Sequence, residues 1–153
     1  MKKFQYKMES VLQIKIKLED QAKLNYGNAR MRLNQEEEKL EQMLLKKEGY
    51  EQELRGLRID RLNLLNIKSC EQAIDIMKST MKQQMTVIRN CEHRLEIARI
   101  RLNDAMVDRK TQERLKEKAF EEYLLEFDSE ERKEVDELNS FNYNKPSFQE
   151  EDE

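Results

Sequence analysis

The sequence predicts an all-α fold, an antiparallel two-helix coiled-coil hairpin followed by a short disordered acidic tail. Three observations predict it. The first is composition. Charged residues reach 40% and apolar residues only 37%, with one Pro, three Gly and no Trp. A compact core needs more apolar and turn residues than this, whereas long helices zipped along a narrow seam do not. The second and third are two heptad seams, one in each half of the chain, which argue against disorder.

The first seam runs at 4,3 spacing from Ala22 through Tyr26, Ala29, Leu33, Glu36, Leu40, Met43, Lys47, Tyr50 and Leu54 to Leu57. Upstream, Val11 and Leu18 extend it only with a local slip, a stutter of the kind that unwinds a supercoil. Ser10 to Gln13 reads as a capping box, so the first helix is expected over about 10–65. The second seam runs from Ile67 and Cys70 through Ile74, Met77, Met81, Gln84, Ile88, Cys91 and Leu95 to Tyr123. It spans about seven heptads, beyond the three or four that mark a coiled coil. The second helix is expected over about 69–138. The turn is expected at about 65–69, where Asn63 and Asn66 weaken the helix. The hairpin then occupies 1–138 as one domain, with 139–153 as the tail.

A turn near Ile67 pairs residues whose numbers sum to 134 or 135. Leu33 then faces Leu102, Leu54 faces Met81, and Leu57 faces Met77. Glu36, Lys47, Gln84, Arg109 and Gln112 are polar residues in seam positions. Such residues fix register at a cost in stability. The three glycines all fall in the first helix, where each costs about 1 kcal/mol relative to Ala.

Charge is unevenly spread. Residues 1–18 hold five Lys and one Glu, and residues 128–153 hold ten acids and three bases. A hairpin places the basic start beside the acidic end. The overall charge of −3 and the lack of a dense basic stripe exclude a nucleic-acid groove. No apolar run approaches the ~20 residues that span a bilayer, and Met1-Lys2-Lys3 leads into no apolar signal segment. A cytoplasmic protein is expected, reaching a membrane surface only through a partner.

Catalytic chemistry is absent from the pattern. A two-helix hairpin has no interior in which groups converge. The only histidine, His93, stands two residues from Cys91, and such positions do not face each other on a helix. No metal site, phosphate loop or cofactor motif is read. Cys70 and Cys91 are expected as small buried apolar residues. Met77, Met81 and Met85 are expected to pack the seam near the turn, or to offer an adaptable partner surface.

Two segments carry a family resemblance. Residues 1–19, from Met1-Lys2-Lys3-Phe4-Gln5-Tyr6-Lys7 to Leu18-Glu19, resemble the opening of the flagellar export protein FliJ family. Ala105, Asp108-Arg109-Lys110, Glu113 and Leu115-Lys116-Glu117-Lys118 resemble that family's charge-alternating stretch late in its second helix. The resemblance implies a non-enzymatic stalk of the flagellar type III export apparatus. Its implied partners are the hexameric export ATPase FliI, the export gate protein FlhA, and export chaperones. It also implies a gate-contacting patch at Tyr50, Leu54, Ala73, Met77 and Gln84, where Ala73 replaces a larger aromatic residue and Gln84 replaces a histidine. The ATPase-binding end is expected at Lys2, Lys3, Arg109, Lys110, Arg114 and Lys116. An escort for export substrates or chaperones, and a generic structural coiled-coil adaptor, are the alternative functions.

Overall fold

The computed structural model describes residues 2–60 and 64–144. Two helices pack against each other: α1 over Glu9–Asp60 and α2 over Leu64–Tyr143. There are no strands among the described residues. The contacts group the chain into two units, one of residues 17–106 and the other of residues up to 16 with those from 107 onward.

The seams are where the heptads put them. Every expected seam position from Ala22 to Leu57, and from Ile67 to Tyr123, is buried or half-buried. The stutter upstream of Ala22 is not observed. Leu12 and Glu19 are buried and Lys15 is half-buried, while Leu18 is exposed. The 4,3 spacing therefore continues without a slip. Apolar content suggested Leu18, but heptad geometry selects Glu19, whose carboxylate pairs with Lys23 at 3.3 Å.

The helix ends also differ from expectation. Helix α1 starts at Glu9, so Ser10 lies inside the first turn and does not cap it. The Met8 carbonyl accepts the Leu12 N–H, and Gln13 donates to the Glu9 carboxylate at 3.1 Å. An acid in the first turn suits the positive end of the helix dipole. Residues 65–69 are helical, not a turn. Asn66 therefore sits in the first turns of α2, and Asn63 lies outside the described residues. At the far end α2 continues past Leu138 through Tyr143, so 139–143 belong to the helix and not to the tail. Pro146 and the acidic residues that follow lie outside the described residues.

The earlier start of α2 changes the register. In the unit of residues 17–106, Leu33 clusters with Ile88 and Cys91, flanked by Leu40 and Leu95. Leu54 clusters with Cys70 and Ile74, flanked by Tyr50, Leu57 and Ile67. Leu33 therefore meets Cys91 instead of Leu102, and Leu54 meets Cys70 instead of Met81. Numbers of facing residues sum to 124 for both pairs, not to 134 or 135. Arg58 to Glu71 at 3.1 Å joins the last turn of α1 to the early part of α2.

Apolar matching could not choose between these registers, which differ by 10 or 11 residues, because uniform heptad seams match again after every half heptad of slip. The polar seam residues choose. Gln84 is buried and donates to the Glu36 carboxylate at 2.6 Å and to the Glu36 carbonyl oxygen at 2.9 Å. Lys39 closes on the other Glu36 carboxylate oxygen at 3.1 Å. The expected register would strand Glu36 against Ala98 and Gln84 against Tyr50. Buried polar groups without partners are costly, so the pairing that satisfies both prevails. The hydrogen bond from Gln84, and then Lys39, hold the Glu36 carboxyl below the usual carboxylate range.

Both cysteines are free and buried in the seam, as expected of small apolar packers. Burial, with the nearby Glu53 charge, pushes the Cys70 thiol up and keeps it neutral. Met77 and Met81 are half-buried, whereas Met85 is exposed and does not pack the seam.

Candidate functional site

The unit built from residues up to 16 and from 107 onward carries all six of the expected ATPase-end residues. Its organising feature is the segment before α1. Residues 2–6 have no regular structure, and a turn at Lys7–Met8 leads into the helix. Phe4 packs edge-on against Phe120 with ring centroids 5.1 Å apart, and against Tyr123 at 5.5 Å. Tyr123 also meets Phe127 at 6.3 Å. Aromatic pairs of this kind contribute about 0.5–1.5 kcal/mol each beyond their buried area. Two hydroxyls fasten the segment. Tyr123 donates to the Lys2 carbonyl oxygen at 2.9 Å, and Tyr6 donates to the Gln112 side-chain oxygen at 3.2 Å.

Sequence reasoning missed this clasp, although a signal exists. Phe120, Tyr123 and Phe127 fall at i, i+3 and i+7, one face of a helix. Phe4 and Tyr6 alternate in the leading segment.

Charge follows the same arrangement. The groove beside the clasp is lined by Lys2, Lys3 and Lys7 on one side and by Glu122, Glu126 and Glu130 on the other. The basic start does lie along an acidic part of α2. Two further ion pairs join the helices here, Lys116 to Glu9 at 2.8 Å and Lys15 to Asp108 at 3.5 Å. Lys116, with Gln13, holds the Glu9 carboxyl below its ordinary value.

The six expected basic residues therefore separate into two groups. Arg109 is half-buried and pairs with Glu113 at 2.8 Å, and Lys116 is engaged with Glu9. The first pair lies within α2 and the second joins α2 to α1. Lys2, Lys3, Lys110 and Arg114 are exposed. Lys110 and Arg114 lie on one surface of α2 among Glu113, Glu117, Lys118 and Glu121.

Four of the five expected gate residues lie on the interhelical seam of the other unit, and Ala73 flanks it beside Ile74. Leu54 is buried in its apolar cluster, and Gln84 is buried in its bond with Glu36. Tyr50, Ala73 and Met77 are half-buried, with Tyr50 packed on the Leu54 cluster. The last three can meet a partner along the seam's edge. Leu54 and Gln84 can do so only if the helices part.

No group of three potential metal ligands is found among the described residues. No described helix is long and apolar enough to cross a membrane. His93 is exposed.

Fold and surfaces together define a helical-hairpin coiled-coil protein, whose distinctive chemistry is displayed on helix faces and along one seam. The chain belongs to the flagellar FliJ protein family, whose family model matches residues 4–147. Membership makes it a component of the flagellar protein export apparatus. The chain matches no curated protein and no solved structure.

Proposed function

We propose that this chain is a non-enzymatic coupling stalk of the flagellar export apparatus, working without a cofactor. It binds the hexameric export ATPase FliI and the export gate protein FlhA, and it also contacts export chaperones. It is cytoplasmic and reaches the inner face of the cell membrane only through those partners. The observation that carries this reading is the family match across residues 4–147.

The physical argument concerns symmetry. A single hairpin has no rotational symmetry, so inside a six-fold ring it offers different faces to equivalent subunits. Ligand contacts that differ between states are what any coupling requires. The exposed bases Lys2, Lys3, Lys110 and Arg114 supply the ATPase contact. The half-buried edge formed by Tyr50, Ala73 and Met77 supplies the gate contact.

The test is reconstitution with the purified ATPase. A stalk binds at one copy per ring and raises turnover. Lys110→Glu with Arg114→Glu weakens that binding while leaving helicity unchanged. Binding to chaperones or export substrates alone, with no effect on the ATPase, would show an escort instead. Self-association with neither would show a structural adaptor.

A further inference from the structure

The apolar face that begins in the clasp continues as a stripe along α2, where Leu124, Val135 and Leu138 are all exposed large apolar residues. Phe120, Leu124, Phe127, Val135 and Leu138 fall within an arc of about 80° at 3.6 residues per turn, and Glu131 stands on the same arc between Phe127 and Val135. Val135 is 53% exposed and Leu138 is 61% exposed. Every residue from Asp128 to Asn144 is exposed. The stripe is embedded in acid. From Glu126 to Glu137 stand seven carboxylates and two cations, Arg132 and Lys133.

The start of the same stripe shows what such a surface takes. There Phe4 sits on Phe120, and the groove beside it sets Lys2, Lys3 and Lys7 against Glu122, Glu126 and Glu130. The occupant is a lysine-rich segment carrying aromatic side chains. The same face continues with the same chemistry for about three further turns.

We propose that α2 from Leu124 to Leu138 is a docking surface for a basic amphipathic helix of a partner protein. Its apolar side lies on Leu124, Val135 and Leu138, and its lysines or arginines meet the flanking carboxylates. Opposite charge steers the encounter and apolar burial holds it. Other occupants fit the charge poorly. A second copy would bring another acidic stripe, and its basic segment is held in its own clasp. Residues 145–153 carry one base and four acids, a charge of the same sign as the stripe. The surface stands whether or not the chain is a coupling stalk.

The full chain is titrated with an 18-residue amphipathic peptide of Lys and Leu, and with its Glu and Leu counterpart, by calorimetry at low and moderate salt. The Lys peptide binds, more weakly as salt rises, and the Glu peptide does not. Val135→Ser with Leu138→Ser lowers affinity at least tenfold at unchanged helicity, since both residues are exposed and all charge is kept. Met31→Ser, an exposed apolar site in the other unit, leaves affinity unchanged. Equal binding by wild type and the double serine variant would overturn the proposal, because charge alone would then account for it. Equal binding of the two peptides would also overturn it. So would self-association of the wild type that the serine variant abolishes, since the occupant would then be a second copy.

Discussion

The two native cysteines can serve as rulers for the register. Leu54→Cys, in a Cys91→Ala background, sets a new thiol in the cluster that already holds Cys70. A disulfide closes only when the two Cα atoms lie within about 7 Å. Replacing Leu54 removes buried apolar volume, and at a seam open on two sides the reduced variant loses about 2 kcal/mol, the low end for such changes. Oxidation closes a loop of about 17 residues and removes unfolded-state entropy equivalent to about 3 kcal/mol. At about 2–4 °C per kcal/mol for a chain of this size, the oxidised form melts roughly 6–12 °C above the reduced form. Diamide oxidation, mass analysis of the monomer and thermal melting by circular dichroism read each step. Leu54→Cys with Met81→Cys, in a chain lacking both native cysteines, is the control for the 134/135 pairing. Closure in that control, with no closure between the introduced thiol and Cys70, would refute the register and the polar pairing that explains it.

Three other outcomes follow from the same structure. Leu33→Ala, deep in its cluster with Ile88 and Cys91, destabilises by about 2–3 kcal/mol in urea unfolding, whereas Met31→Ala on the outer surface changes stability by no more than about 0.5 kcal/mol. Gly27→Ala and Gly49→Ala each stabilise by about 1 kcal/mol, because a Cβ meets nothing within 4 Å at either site and neither glycine has positive φ. Glu36 has a folded-state pKa below its ordinary value of 4.5, so its contribution is present above pH 4.5 and is lost as pH falls through the lowered folded value. Unfolding midpoints measured from pH 6 downward should therefore fall less steeply in Glu36→Gln than in wild type; parallel curves would reject a role for this carboxylate.

Much of the fold was legible because heptad spacing is a strong local signal. The α2 seam was readable position by position, including the polar members Gln84, Arg109 and Gln112. Two things were not. One was the register, since sliding one uniform seam along another keeps apolar residues facing apolar residues. Only the meeting of Glu36 with Gln84 breaks that degeneracy, and it becomes visible only when α2 is seen to begin at Leu64. The other was the clasp. Phe4 lies outside any helix, so no periodicity ties it to Phe120 and Tyr123. Glu19 teaches a related lesson. Hydrophobicity favoured Leu18 for the seam, but the phase of the heptad outweighed the chemistry of a single side chain. Among the expected site residues, Leu54 and Gln84 are buried in the seam where the heptads put them, and Arg109 and Lys116 form ion pairs that only side-chain geometry reveals.

The closed seam is the working form of the molecule in this account, with partners met on its edges and outer faces. Leu33→Cys in a Cys70→Ala background allows a lock to Cys91 at a position outside every proposed contact. Turnover of the export ATPase, measured with the oxidised and then the reduced protein, tests the claim directly. Both forms should stimulate turnover equally. Stimulation that disappears on oxidation and returns on reduction would show that the helices must part to act, and would contradict it.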